Sequence, residues 1–197
     1  MSDIENKKAW VYIHIPKTAG MFLKDLIKNS KDTSKILDPF SENTTYSVPI
    51  RNAPSISFVR QQIPASNDER IGFIIIVRNP YDRLHSLWKW SRLNGEIGNL
   101  DFPQVENNFE DYVLNLSSGK YDTCYFMQKQ SFWFTGKENC YVKTMKFEEL
   151  NTTVKTFFET NGVAWSDTKV NESPGPDYKT AYTPKMIEIV KERFKDE

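Results

Sequence analysis

Trp10-Val-Tyr-Ile-His-Ile-Pro-Lys-Thr-Ala-Gly-Met-Phe-Leu-Lys-Asp-Leu-Ile27 reads as a strand, a tight loop and a helix. Trp10 to Ile15 is aromatic and β-branched, which suits a buried strand. Pro16 to Gly20 breaks that pattern. Phe22, Leu23, Leu26 and Ile27 then recur at helical spacing. A loop feeding a helix N-terminus points backbone N–H groups at one spot, and the helix dipole adds positive potential there. Lys17 adds a mobile ammonium. Loop and lysine together suit an anion cradle, or equally a plain strand-to-helix turn with a surface lysine. The G-x-x-x-x-G-K-[ST] pattern of a nucleoside-triphosphate loop is absent.

Outward from this stretch, the composition bounds the rest. A chain of 197 residues is expected to form a single domain, 1–197, with a proper core. Its 26 basic and 26 acidic residues cancel, which gives no support for a nucleic-acid or membrane-surface role. The aromatic share of 14% points to a large core. Cys124 and Cys140 have no metal-ligand spacing and are expected to be buried and reduced. The polar N-terminus lacks the apolar segment of a signal peptide, and no apolar run is long enough to span a membrane, so a cytoplasmic location is expected.

Strand and helix patterns alternate along the chain. Lys35-Ile-Leu-Asp38 suits a short second strand, and 39–54 an irregular polar loop. Ile56, Val59 and Ile63 predict a short helix between Pro54 and Pro64. Gly72-Phe-Ile-Ile-Ile-Val77 is continuously apolar, as a central parallel strand must be. Asn79 then caps a helix opened by Pro80 and ended near Asn94. Asn108 caps another, carrying Phe109, Tyr112, Val113 and Leu116. Helix is expected over Tyr121 to Phe134, strand over Asn139 to Lys143, and helix over Asn151 to Thr160 and after Thr183-Pro184. The alternation predicts a three-layer αβα fold with a mainly parallel sheet, like that of a P-loop nucleotide-binding domain. Ligands in such sheets bind beyond the carboxyl ends of the strands.

That rule selects Lys17 and Arg78, each just after a strand, and Ser86 about two turns into the following helix. An arginine fork and a hydroxyl suit a second anion. Singly, Arg78 could equally end a strand as an ion pair, and Ser86 could be a small residue at a helix contact.

The chain resembles the sulfotransferase family, in Ile13-His-Ile-Pro-Lys-Thr-Ala-Gly20 and Phe73-Ile-Ile-Ile-Val-Arg-Asn-Pro-Tyr-Asp-Arg-Leu-His-Ser86. The branch it looks most like contains carbohydrate enzymes such as the heparan sulfate 2-O and 6-O sulfotransferases and their bacterial relatives. Weaker resemblance runs on through Gln130-Ser-Phe-Trp133, Lys146-Phe-Glu-Glu149, Asn171-Glu-Ser173 and Tyr178. The resemblance implies transfer of a sulfuryl group from 3′-phosphoadenosine-5′-phosphosulfate (PAPS) to a hydroxyl of a glycan or small metabolite, without a metal. It implies that Pro16, Lys17, Thr18, Ala19, Gly20, Met21 and Phe22 form the 5′-phosphosulfate loop. Lys17 would stabilise charge on the leaving oxygen, Thr18 to Gly20 would supply hydroxyl and backbone donors, and Arg78 with Ser86 would hold the 3′-phosphate.

The chain departs from the family pattern twice. Met21-Phe22 stands where the family usually has two hydroxyl residues. The histidine base of the 2-O and 6-O relatives is missing between His14 and His85, where Arg51-Asn-Ala-Pro-Ser55 lies instead. Asp38, at the end of the second strand, is a candidate base in the position where some relatives carry a glutamate; His14 and Glu42 are others. Asp38 could also merely cap the turn before Pro39, and His14 could be structural. His85 is expected to be structural and partly exposed. Three readings follow: a sulfotransferase, a catalytically impaired nucleotide-binding module of the same fold, and a small-molecule kinase.

Overall fold

The computed structural model describes residues 9–30, 36–37, 55–62, 71–94, 105–166, 177–195 and 197. A parallel strand covered on both faces must be apolar at successive positions. Ala9–Ile13 (β1) and Ile71–Val77 (β3) meet that condition and pair in parallel, Trp10 opposite Gly72 and Ile13 opposite Ile75. Ile36–Leu37 (β2) joins β1, and Tyr141–Lys146 (β4) joins β3, also in parallel. The four-stranded order is β2-β1-β3-β4. Among the described residues the α-helices are Gly20–Asn29 (α1), Ile56–Gln62 (α2), Pro80–Asn94 (α3), Phe109–Leu114 (α4), Lys155–Thr160 (α5) and Pro184–Arg193 (α6). This is the expected three-layer α/β class with a parallel sheet.

The chain divides into two compact units: 1–77 with 132–171, and 78–131 with 172–197. The first holds the sheet. Trp10, Tyr12, Ile74 and Ile76 on one face pack with Leu23, Leu26, Met145 and Phe158. The alternate residues Val11, Ile13, Phe73 and Ile75 are buried too. Gly72 is there for the Trp10 indole: a Cβ would lie 2.6 Å from the ring. Leu23 is completely buried, so Leu23→Ala is expected to cost about 2–5 kcal/mol through lost burial and the cavity left behind. The helical period that brings Phe22, Leu23, Leu26 and Ile27 to the core leaves Met21, Asp25 and Lys28 outside.

The second unit is helical. Leu84 and Leu87 of α3 pack with Phe109, Tyr112 and Val113 of α4 and with Met186 and Val190 of α6. Asn108 caps α4 as expected, accepting from the Asp111 N–H at 2.7 Å. Thr183 caps α6, with Pro184 in its first turn. Glu106 ties the loop before α4 in place. Burial works to raise its pKa, but hydrogen bonds from Lys120, Tyr121 and Asn115 prevail and hold the carboxyl below its ordinary value.

The expected helix over Tyr121 to Phe134 is absent. Turns run to Cys124, and two short 3₁₀ pieces, Tyr125–Met127 and Gln130–Phe134, follow. The carbonyls that an α-helix would use internally go elsewhere: Phe126 and Gln128 accept from the guanidinium of the buried Arg83, at 3.0 and 3.2 Å. The helix expected from Asn151 is a π-turn over Leu150–Val154 before α5 takes over. The strand expected over Asn139 to Lys143 begins at Tyr141 and runs to Lys146. Cys124 is buried and Cys140 half-buried, and they do not form a disulfide with each other. Lys35, Asp38, Glu42, Ile63 and the loop expected over 39–54 lie outside the described residues.

Candidate functional site

β1 ends at Ile13, and the chain reaches α1 through a loop with unusual backbone geometry. Lys17 has φ 69° and Ala19 φ 67°, both left-handed, a region that residues with a Cβ seldom enter. Left-handed residues in a short loop turn successive N–H groups toward one side, making a concavity suited to an anion. The loop leads straight into α1, whose first-turn N–H groups have no acceptor within the helix. Ala19 offers no side-chain cap, and the first turn carries no acidic residue. The positive end of the helix dipole is therefore not neutralised from within the helix itself.

Inside the loop, Thr18 is completely buried, and its hydroxyl donates to the Ile15 carbonyl at 2.8 Å. That hydrogen bond closes the loop from within. Lys17 and Ala19 are half-buried, and Pro16 and Gly20 buried. Met21 is 55% exposed, whereas Phe22 is turned into the core.

His14 leads into the loop and stacks on Tyr12, with ring centroids 6.2 Å apart. Its ring also lies directly over the Gly20 backbone. Burial, then the charges of Lys24 and Lys17, lower its pKa to about 3. The imidazole is neutral at physiological pH and a weak proton acceptor. The ring makes packing contacts with Tyr12 and Gly20.

The second element follows β3. Asn79 caps α3 through Oδ1, which accepts from the Tyr81 and Asp82 N–H groups at 3.0 and 3.4 Å. The half-buried Arg78 guanidinium is gripped by Asp82: Nε donates to Oδ2, and Nη2 meets Oδ1, both at 2.9 Å. A fork-to-carboxylate pair of this kind fixes the plane of the guanidinium. The Arg78 backbone is bound as well. The Gln130 side-chain oxygen accepts its N–H, and the Gln130 amide donates to its carbonyl, both at 2.8 Å.

Ser86 is half-buried further along α3. His85 beside it is only 4% exposed, against the expectation of partial exposure. It lies between Trp88 and Phe109, with ring centroids at 6.0 and 4.8 Å. Burial chiefly, helped by the charge of Lys89, lowers its pKa to about 4.

Asp82 and Gln130 are the residues that sequence reasoning passed over. The i, i+4 spacing of Arg78 and Asp82 was readable as a helical ion pair. Gln130, which opens the Gln130-Ser-Phe-Trp133 segment, is 52 residues from Arg78, and no local pattern ties the two together. Among the described residues, no group of three or more His, Cys, Asp or Glu side chains is placed to hold a metal ion. No described helix is long and apolar enough to cross a membrane.

No protein-family profile and no curated protein matches the chain. Among solved structures it is similar to the mouse sulfotransferase SULT7A1 complexed with PAP. The TM-score is 0.56 and the identity 16%, covering 95% of this chain and 84% of that one. The likeness is one of fold.

Proposed function

We propose that this protein is a PAPS-dependent sulfotransferase acting on a hydroxyl of a carbohydrate or small metabolite. The observation that carries the reading is the Pro16-Lys17-Thr18-Ala19 loop. Its two left-handed residues open onto the uncapped N-terminus of α1, in a fold similar to that of a sulfotransferase bound to PAP, 3′-phosphoadenosine 5′-phosphate. In this reading backbone N–H groups from Lys17 to Phe22 cradle the 5′-phosphosulfate. Arg78 and Ser86 take the 3′-phosphate.

The reaction forms a bond from the acceptor oxygen to sulfur and breaks the bond from sulfur to the bridging oxygen of the 5′-phosphate. Charge accumulates on that bridging oxygen, where the Lys17 ammonium stabilises it. Such transfer asks a protein mainly for in-line positioning and charge stabilisation. The acceptor proton goes to a base, for which Asp38 is our candidate ahead of the neutral His14.

One observation favours the second reading, a nucleotide-binding module that has lost turnover. Met21 and Phe22 bring no hydroxyl to the loop, and a missing charge-assisted hydrogen bond costs about 1.5–3 kcal/mol. Sulfate transfer from labelled PAPS to a panel of glycans and hydroxylated metabolites decides between the two. Transfer to any member supports the enzyme. Tight PAP binding without transfer supports the module, and binding of ATP in preference to PAP refutes both.

A further inference from the structure

The side chain of Gln130 is 5% exposed, and every polar atom of its amide is engaged. Oε1 accepts the Arg78 N–H, and Nε2 donates to the Arg78 carbonyl, each at 2.8 Å. The second Nε2 hydrogen goes to the Glu197 carboxylate at 3.0 Å, which also accepts the Gln130 backbone N–H. Reversing the amide would set oxygen against the Arg78 carbonyl and the Glu197 carboxylate, and nitrogen against the Arg78 N–H. The network therefore admits one orientation. A buried amide with all its partners in place is rigid, and losing one partner leaves the other unsatisfied.

Arg78 is thus fixed at both ends. Gln130 holds its peptide groups at the junction of β3 and α3, and Asp82 holds its guanidinium. The hold on the backbone comes first in effect. The side chain swings from a Cα whose flanking N–H and C=O both terminate on Gln130. Two of the three hydrogen bonds of the Gln130 amide end on the Arg78 backbone and the third on Glu197, and Leu or Met would make none of them.

We infer that Gln130 is a positioning residue for Arg78. It aims the guanidinium at the 3′-phosphate and thereby sets the preference for a 3′-phosphorylated nucleotide. The inference rests on the reading of Arg78 given above. Gln130 acts through Arg78 and does not itself touch the ligand.

The test titrates PAP and 5′-AMP by calorimetry into wild type, Gln130→Met and Gln130→Glu, with thermal unfolding of each. Gln130→Met keeps the volume and removes the hydrogen bonds. Gln130→Glu keeps the shape and an acceptor for the Arg78 N–H, but sets a carboxylate oxygen against the Arg78 carbonyl, and it serves if the methionine variant does not fold. The expected result is a loss of PAP affinity of about tenfold, equivalent to about 1.4 kcal/mol, with 5′-AMP affinity within about twofold of wild type. A folded variant that keeps the wild-type ratio of PAP to 5′-AMP affinity overturns the inference. Equal weakening of both nucleotides also overturns it, because that is the signature of a purely structural glutamine. A wild type with no preference between the nucleotides refutes the reading of Arg78 itself, an outcome visible before any variant is made.

Discussion

The imidazole of His14 occupies the space that a side chain at residue 20 would need: a Cβ built on Gly20 would lie 1.8 Å from Nε2. No real Cβ makes such a contact, so the histidine and the glycine are a matched pair. Gly20→Ala is expected to destabilise the fold by about 1–3 kcal/mol, the usual cost of overpacking. His14→Ala should relieve much of that cost, so the double variant should be markedly less than additive in urea unfolding. Additive losses would show that the ring can move aside freely.

Lys17→Ala is expected to abolish sulfate transfer while PAP still binds, more weakly. The ammonium acts most strongly on charge that develops only as the bond to sulfur breaks. Because alanine meets the same left-handed backbone as the lysine, the loop geometry is tested little by this change. Normal turnover of labelled PAPS in the variant would remove Lys17 from the mechanism.

Wild type is expected to prefer PAP over 5′-AMP by at least about tenfold, or about 1.4 kcal/mol, if Arg78 and Ser86 read the 3′-phosphate. Arg78→Ala should erase that preference. Equal affinities in wild type would assign the Arg78–Asp82 pair to helix stabilisation alone.

Stability is expected to fall as the pH drops below about 6.5. His14 and His85 have folded-state pKa values lowered to about 3 and about 4, from 6.5. Between those limits the unfolded chain binds protons that the folded chain does not, so acidification favours unfolding. Each group contributes a slope of about 1 kcal/mol per pH unit in that window. Above pH 6.5 both contributions are fully present. His85→Phe should flatten the dependence seen by urea unfolding at pH 7, 6 and 5. An unchanged slope would mean that the ring binds its proton equally well in the folded and unfolded states.

Asp38→Asn is expected to lower turnover by about 10²–10⁴-fold with little change in PAP affinity, if its carboxylate takes the acceptor proton. Rates measured across pH 5 to 9 on a folded sample check this. A near-normal rate would exclude Asp38 as the base.

Much of this architecture was legible because it depends on local pattern. The apolar run of β3 could only be a doubly buried strand, and Asn79-Pro80, Asn108 and Thr183-Pro184 announced helix starts that the fold contains. The segment from Tyr121 to Phe134 was misread because its backbone serves distant groups. Arg83 takes its carbonyls, and nothing in the local sequence says so. The same limit applies at the site. Lys17 and Arg78 follow strands and could be found, and Asp82 lies one helical turn from Arg78. The Gln130 hold on the Arg78 backbone exists only in three dimensions. Left-handed φ at Lys17 and Ala19 was equally hidden, because neither residue favours it intrinsically.

The strand order carries a cost during synthesis. With neighbours parallel throughout β2-β1-β3-β4, no pair can form as a local hairpin, and β3 meets β4 only after the whole of α3 and α4 has been made. Until then one edge of an Ile-Gly-Phe-Ile-Ile-Ile-Val strand stays unpaired on the nascent chain, ready to zip onto a second copy. Slow refolding with a yield that falls as protein concentration rises is the expected behaviour of such a topology. Expression at low temperature or with chaperones should raise the soluble fraction without altering the folded state's stability.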